Sequence, residues 1–378
     1  MKRITAMLLA AVLLVGSSGC GSGTAERKPS QSSWVTYKEV YDRVQNEKNE
    51  DILVYSYQQP MLSSDSAGAN IINTKLDNAT TAFVYGSGGI QEMTDLAKMD
   101  WKETWFTCYA LTREVSVARL DDAVASFRYS DYAFTGGVHG YTAEHGMSYD
   151  MVSGEQLSLA SLTHDEWALR EVCRQYLIEV LEDENLVYKN GLFPDYKNYL
   201  DVMLKNWVFT ESGLQFIAQP YVMAAYAVGT IRITVPYARI AHVLDEKWMP
   251  AQRTYENTTV TVDVADGPQT GLTDFGISEM GMPLVVTVNG TIYDFSVEGV
   301  NSYPSGGETV FYMTQQHLFS PEISSESFGV RVNVPDTKPE TMLRWRDHDG
   351  TEYQYFLTYD GKNGGVLLEA VKPKLERE

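Results

Sequence analysis

THDEWALREVCRQYLIEVL, residues 163–181, is the stretch on which the fold class turns. Leu169, Val172, Cys173, Tyr176, Leu177, Val180 and Leu181 recur at i, i+3, i+4 spacing, which gathers them on one face of a helix. Asp165, Glu166, Glu171, Glu179 and Glu182 fall elsewhere on its surface. Thr163 with Glu166 three residues later fits a capping box, so the helix is expected to start there. A second helix is expected from Tyr196 to Asn206.

On both sides of this helix the period changes to that of strands. Trp105–Arg119 and Ala123–Phe134 are rich in aromatic and β-branched residues, with Leu120-Asp121-Asp122 as a hairpin turn, and Gly146–Met151 reads as a third strand. Farther upstream, Asp51–Gln59 is a strand that Pro60 is expected to break. Ala69–Phe83 and Ile90–Met99 carry helical stripes, separated by Gly86–Gly89. Downstream, Trp207–Thr210, Leu214–Gln219 and Gly229–Val235 read as strands, with a short closing helix at Tyr237–Leu244. From Val260 onward there are only strand-like runs between Gly, Pro, Asn and Asp: 260–264, 284–288, 292–297, 309–314, 328–334, 352–359 and 366–371. This order predicts an α+β fold of antiparallel sheets with packed helices, followed by an all-β sandwich-like C-terminal domain. The expected divisions are 35–135, 136–248 and 255–378.

The first residues carry a different message. Met1-Lys2-Arg3 is followed by an apolar run from Ile4 to Gly16, then Ser17-Ser18-Gly19-Cys20. A basic start, a short apolar stretch and small residues describe a secretory signal peptide over 1–19. The cysteine after the small residues resembles the lipobox of bacterial lipoproteins, with Ser17 where Leu is usual, and makes Cys20 the expected lipidation site. Residues 20–34 then form the expected tether, since 21–33 hold no aliphatic side chain beyond alanine. The folded body is thus expected outside the cytoplasm, on the outer membrane face.

The chain has 378 residues and a formal charge of −20, about −22 once Lys2 and Arg3 are removed. That charge argues against nucleic acid and anionic headgroups, and is compatible with a basic protein partner. Cys108 and Cys173 sit in apolar contexts, which leans toward buried free thiols.

His139, Glu144 and His145 are the residues to consider for metal or acid–base work. Their spacing matches neither the His-Glu-x-x-His pattern nor its inverse. On a strand His139 and His145 would share a face, but a glycine-flanked histidine in a turn more often makes a structural hydrogen bond. Gln219, Tyr221 and Tyr226 open a tyrosine-dense stretch that reads either as a recognition surface or as sheet packing. Asp347-His348-Asp349-Gly350 lacks the later ligands of a calcium loop and is expected to be a hairpin turn. No nucleophile elbow or phosphate loop is present, and no cofactor is expected.

Phe134-Thr135-Gly136-Gly137-Val138-His139-Gly140, Ser148-Tyr149-Asp150 with Ser153-Gly154, and Leu157–Leu162 resemble the opening of the C-terminal domain of RsiV-like extracytoplasmic proteins. Phe209–Leu214, Gln219-Pro220-Tyr221, Ala224–Ala227 with Gly229, and Val235-Pro236-Tyr237 resemble its close. Residues 36–134 are similar to the domain that precedes it, and the same pair stands beside the catalytic domain of the peptidoglycan deacetylase PdaC. The resemblance covers about residues 36–244. It implies an α+β fold outside the membrane, and some members bind lysozyme. No polysaccharide deacetylase region and no sigma-binding segment are recognised here, so only the extracellular recognition role carries over. The expectation is therefore a non-catalytic surface lipoprotein that binds a lysozyme-like cationic protein or cell-wall glycan, with His139, Gln219, Tyr221 and Tyr226 as ligand-binding candidates. The alternatives are an envelope hydrolase using His139, Glu144 and His145, or an adhesion or assembly module acting through the C-terminal β region.

Overall fold

Two long strands, β1 (Trp34–Gln45) and β2 (Asp51–Ser63), pair antiparallel from Trp34 opposite Ser63 to Gln45 opposite Asp51. The computed structural model describes residues 33–378 apart from 64–65, 184–187, 189–190, 252, 254–256, 266–271, 306–307, 362–364, 372–374 and 377–378. The signal-peptide reading and Cys20 lie outside the described residues. Of the expected tether, Trp34 departs: it is 3 % exposed and begins β1.

Pro60 does not end β2, contrary to the expectation from sequence; it sits within the strand, opposite Tyr37. The reason is positional. β3 (Tyr109–Leu120) runs parallel to β2 only from Leu53 to Tyr57, so beyond that point β2 needs no second ladder donor. Side chains cover the vacated edge instead. Asn73 bonds both the N–H and the C=O of Leu62 at 2.9 Å, and Gln58 Oε1 accepts the N–H of Val115 at 3.0 Å.

The crossover from β2 to β3 contains helices α1 (Ala67–Tyr85) and α2 (Ile90–Asp100). Ser66 caps α1 by accepting the N–H of Ala69, and the helix buries Ile72, Leu76 and Phe83. β4 (Val124–Phe134) and β5 (Tyr141–Asp150) extend the sheet by antiparallel pairing, with Asp121 accepting the N–H groups of Ala123 and Val124 in the turn before β4.

Helix α3 (Glu166–Leu181) is the amphipathic element expected, but its cap is Asp165 rather than Thr163. The Asp165 carboxylate accepts the N–H of Ala168 at 3.0 Å, while Thr163 bonds only the N–H of Asp165, and Glu166 becomes the first helical residue. The second expected helix is a 3₁₀ turn at Tyr196–Tyr199 leading into α4 (Leu200–Met203). A three-stranded sheet follows, β6 (Trp207–Thr210), β7 (Gly213–Ala218) and β8 (Ile231–Pro236), and the closing helix is the single turn α5 (Tyr237–Ile240). Leu169, Cys173, Leu177 and Leu181 of α3 share one core with Phe209, Leu214, Phe216, Ile233 and Val235 of this sheet. Each fully buried side chain of that size contributes about 1.5–3 kcal/mol. β6 comes so close to β5 that a Cβ on Gly146 would lie 2.2 Å from the Trp207 carbonyl oxygen.

The remaining strands are β9 (Thr259–Val264), β10 (Asp274–Gly276), β11 (Met282–Asn289), β12 (Thr291–Ser305), β13 (Glu308–Ser324), β14 (Ser327–Val332), β15 (Thr341–Arg346), β16 (Glu352–Asp360), β17 (Gly365–Ala370) and β18 (Leu375–Glu376). A small sheet, β10-β14-β11-β9, shares a sandwich core with β12, β13, β15 and β16. The Asp347–Gly350 segment is the hairpin turn expected, with Gly350 at φ +85°. β15 went unread in the sequence because Arg344 and Arg346 interrupt its apolar run.

The large sheet is ordered β17-β16-β15-β12-β13-β1-β2-β3-β4-β5, with β18 beside β13. It therefore crosses both divisions drawn from the sequence. β4 pairs with β5 across 135/136, and β1 pairs with β13 through Val35–Phe319 and Thr36–Leu318. Trp34 enters the sandwich core, with its ring 4.7 Å from that of Phe275 and 4.8 Å from that of Phe328. Residues Ser32–Glu378 form one compact unit. Cys108 and Cys173 are unpaired, and burial pushes the Cys173 thiol up to about 12.

Candidate functional site

β5 is the last strand of the large sheet, and two side-chain amides cover its free edge. Asn206 accepts the N–H of Gly146 at 3.0 Å and donates to the Glu144 carbonyl at 2.8 Å. Gln219 accepts the N–H of Glu144 at 2.8 Å and donates back to the same carbonyl. Both ends of the Gln219 amide are thus committed to the backbone of β5, which blocks pairing with another strand.

Alternation along β5 sends Glu144 and His145 to opposite faces. Glu144 lies toward the three-stranded sheet, buried, with Arg232 of β8 bonded to both carboxylate oxygens, one of these bonds at 2.6 Å. His145 stacks on Tyr129, centroids 4.8 Å apart and planes within 7°, and burial holds its pKa below the ordinary histidine value. His139 precedes the strand and turns its ring onto Tyr226. The three residues considered for metal or acid–base work are therefore not brought together, because the strand period and the Arg232 pair separate them. Among the described residues no group of three His, Cys, Asp or Glu could hold a metal ion.

What His139 does is build an aromatic surface. Its ring lies 3.9 Å from that of Tyr226 at 16°, and the Tyr221 ring is 5.5 Å from Tyr226. The Tyr226 hydroxyl donates to the Gly140 carbonyl at 2.9 Å, and His139 Nδ1 lies 2.9 Å from the same oxygen. Tyr132 closes against Gly140 from the other side: a Cβ there would stand 2.4 Å from its ring. Tyr221 has φ +67°, a conformation costly for a bulky residue, and is 55 % exposed. The tyrosine-dense stretch thus divides. Tyr221 is exposed and Tyr226 half-buried beneath it, while Tyr237 is buried and accepts a hydrogen bond from Arg119 at 2.6 Å.

A second arrangement was not apparent from the sequence. A cleft of about 410 Å³ opens between the β6–β7 turn, β8, and the β12, β13, β15 and β16 strands. Glu211 and Asp294 stand in its wall and share one guanidinium nitrogen, Nη2 of Arg253, at 2.8 and 2.6 Å. Burial, followed by the negative charge of Asp294, pushes the Glu211 carboxyl up to about 7. Arg344 and Glu298, 2.8 Å apart, form another part of the wall. These side chains come from segments too far apart in the chain for any local motif to announce them.

Two family profiles match the chain: Deacetylase PdaC over residues 46–142, and a protein of unknown function, DUF3298, over residues 168–238. The chain carries this tandem. Its PdaC-like and DUF3298 segments mark a cell-envelope-associated, extracytoplasmic protein. The aromatic surface joins the two parts of the tandem, since His139 lies in the first matched segment and Tyr221 and Tyr226 in the second. Among solved structures, a DUF3298 family member from Bacteroides fragilis is similar at 18% identity and TM-score 0.43, covering 56% of this chain and 94% of that one. A DUF3298 family protein from Pseudomonas aeruginosa is similar at 16% identity and TM-score 0.41, covering 58% and 96%. Among curated proteins, the alpha-1B-glycoproteins of Mus musculus and Rattus norvegicus match at 32% and 28% identity over 110 and 103 residues, 27% and 26% of this chain. The chain spans about a fifth of the length of those relatives. Among the described residues of the tandem protein no helix is long and apolar enough to cross a membrane.

Proposed function

We propose that this is a cell-surface lipoprotein, anchored through Cys20, that binds a cell-envelope ligand without transforming it, and that the ligand is cell-wall glycan. The observation that supports this reading is the stacked surface of His139, Tyr226 and Tyr221 at the junction of the tandem. Stacked rings with polar tips offer stiff apolar area beside hydrogen-bonding groups, which suits the faces and hydroxyls of sugar rings. The edge amides and the Glu144–Arg232 pair hold the backbone beneath them rigid. A second ligand, a lysozyme-like cationic protein, is favoured by the charge of −20, which would speed encounter with a basic partner.

Calorimetry of residues 33–378 against soluble peptidoglycan fragments and against a c-type lysozyme, at two salt concentrations, tests both. Salt-insensitive glycan binding that Tyr221→Ala abolishes supports the first ligand. Salt-sensitive lysozyme binding supports the second. Binding of neither by a folded protein rejects the recognition role for this surface. Replacement of Cys20 by Ser should move the protein from the membrane fraction to the medium; unchanged membrane association would reject the anchor.

A further inference from the structure

Where β1 meets β13, the Glu39 carboxylate holds an imidazole in a fixed orientation. Glu39 Oε1 lies 2.7 Å from His317 Nδ1 and accepts from Gln58 at 3.1 Å, while Oε2 accepts from Gln315 at 3.1 Å. Burial opposes the charge on Glu39, but the bonds from His317, Gln58 and Gln315 outweigh it and hold the carboxyl below the ordinary glutamate value. An ionised carboxylate can only accept, so the neutral ring carries its proton on Nδ1 and its lone pair on Nε2. Among the described residues no hydrogen bond reaches that Nε2. The register between β12 and β13 slips on both sides of Glu298. Thr314 and His317, three residues apart, would otherwise point to opposite faces of β13, and here both turn onto Gly299. A Cβ on Gly299 would lie 2.4 Å from Thr314 Oγ1 and 3.0 Å from His317 Nε2, so the glycine keeps the space between a hydroxyl and a base open. Both side chains line a pocket of about 430 Å³, and His317 keeps 17 % exposure.

We propose that this pocket hydrolyses a neutral short-chain acyl ester, with Thr314 as nucleophile, His317 as its base and Glu39 as the residue that positions the base. Ile277, Val300 and Val332 give the wall apolar area for a short acyl chain, and Asn301 and Asn333 suit a hydroxylated alcohol part. With Glu39 satisfied by its three donors, Lys338 and Glu340 are the remaining charges of the wall and offset each other, so the lining selects neither a cation nor an anion. Among the described residues no hydrogen bond uses Nδ2 of Asn301 or of Asn333, which leaves two donors for the carbonyl oxygen as it gains charge.

Thr314 Oγ1 adds to the ester carbonyl carbon as its proton passes to His317 Nε2. The adduct collapses, the bond to the alcohol oxygen breaks, and that oxygen takes the proton from Nε2. Water then adds to the Thr314 ester, giving a proton to Nε2; the carboxylic acid leaves and Oγ1 recovers the proton. The site is separate from the aromatic surface.

The test is hydrolysis of monobutyrin, the glycerol ester of butyric acid, by residues 33–378, with released butyrate followed by NMR from pH 5 to pH 8. Acid-quenched samples are digested and the acyl group is located by mass spectrometry. The rate should rise with pH as His317 gives up its proton and then level, and the acyl group should sit on Thr314. Thr314→Ala and His317→Gln should each lower the rate about 100-fold or more while keeping the parent's near-UV spectrum. The charged groups around the ring are Glu39, Lys338 and Glu340. Glu39→Gln keeps an acceptor for Nδ1 but removes the negative charge, so the rate should fall and the midpoint of the pH profile move down. His164→Gln, at a ring 98 % exposed, and Tyr221→Ala should change nothing. A rate no higher than that of free imidazole at equal concentration, an undiminished rate in folded Thr314→Ala or His317→Gln, or an acyl group on another residue would overturn the proposal.

Discussion

The side-chain carbonyl of Gln316 accepts the backbone N–H of Val117 at 3.0 Å, so a side chain of β13 does for β3 what a neighbouring strand would otherwise do. The same amide accepts from Tyr37 at 2.6 Å and donates to Glu298 at 3.3 Å, while the Gln316 backbone carbonyl accepts from Gln58 at 2.9 Å. These bonds form a buried polar seam where the two ends of the chain meet. Gln316→Leu leaves Val117, Tyr37 and Glu298 short of a partner. Unpaired buried groups cost about 1–3 kcal/mol each, so a loss of at least about 3 kcal/mol is expected in urea unfolding. A loss below about 1 kcal/mol would mean that water replaces the amide.

Trp34 ties the N-terminal strand into the C-terminal sandwich. Trp34→Ala should cost about 3–5 kcal/mol, with residues 255–378 losing near-UV signal together with the rest in one transition. Trp34→Phe should cost much less, since it keeps an aromatic ring and removes an Nε1 that has no hydrogen-bond partner among the described residues. Two separate transitions in the alanine variant would show that the shared sheet does not couple the parts.

Arg232→Ala strands the Glu144 carboxylate, whose side chain is 4 % exposed. Because Arg232 itself is 31 % exposed, the expected loss is at the low end of the range for a broken buried pair, about 3 kcal/mol. The double variant Glu144→Leu with Arg232→Leu should recover most of it. Thermal melts of the single and double variants measure the difference, and a double variant no more stable than the single one would contradict this account.

Glu211 carries a pH signature. Its folded pKa is raised from 4.5 to about 7, so the folded state holds a proton that the unfolded state has released. The contribution to stability is complete below about pH 4.5 and disappears as pH rises through about 7. Melting temperature measured from pH 5 to pH 8 should therefore fall more for the parent than for Glu211→Gln. Parallel curves would show that the carboxyl is not held protonated.

Much of the architecture was legible because it is written in local periods. The α3 face from Leu169 to Leu181 packs as its spacing implied, and the β6–β8 runs and the Asp347–Gly350 turn formed where expected. The errors were equally local. Thr163 and Asp165 are both good caps, and only the course of the chain entering α3 selects the second. Pro60 signals a break except where the neighbouring strand has already left, and that departure is a property of β3. At the site, Tyr221, Tyr226 and His139 could be singled out as aromatic and glycine-flanked, but their stacking spans more than eighty residues of chain.

The sequence settled much of what short-range physics controls: most of the strands, the helix α3 and the turns between them, though not β1 or β15. Its Gly-Gly-x-His-Gly and Gln-Pro-Tyr runs, read as a family resemblance, fall within the two matched segments. Tertiary structure decided which strands became neighbours, and with them everything that depends on long-range pairing. The continuous sheet through β1 and β13, the Gln316 seam, the separation of Glu144 from His145, and the Glu211–Arg253–Asp294 cluster all belong to that class. The partnering of strands distant in sequence and the meeting of buried charges are selected by the total burial of the folded chain, to which each local segment contributes only a part, and so no local pattern encodes them.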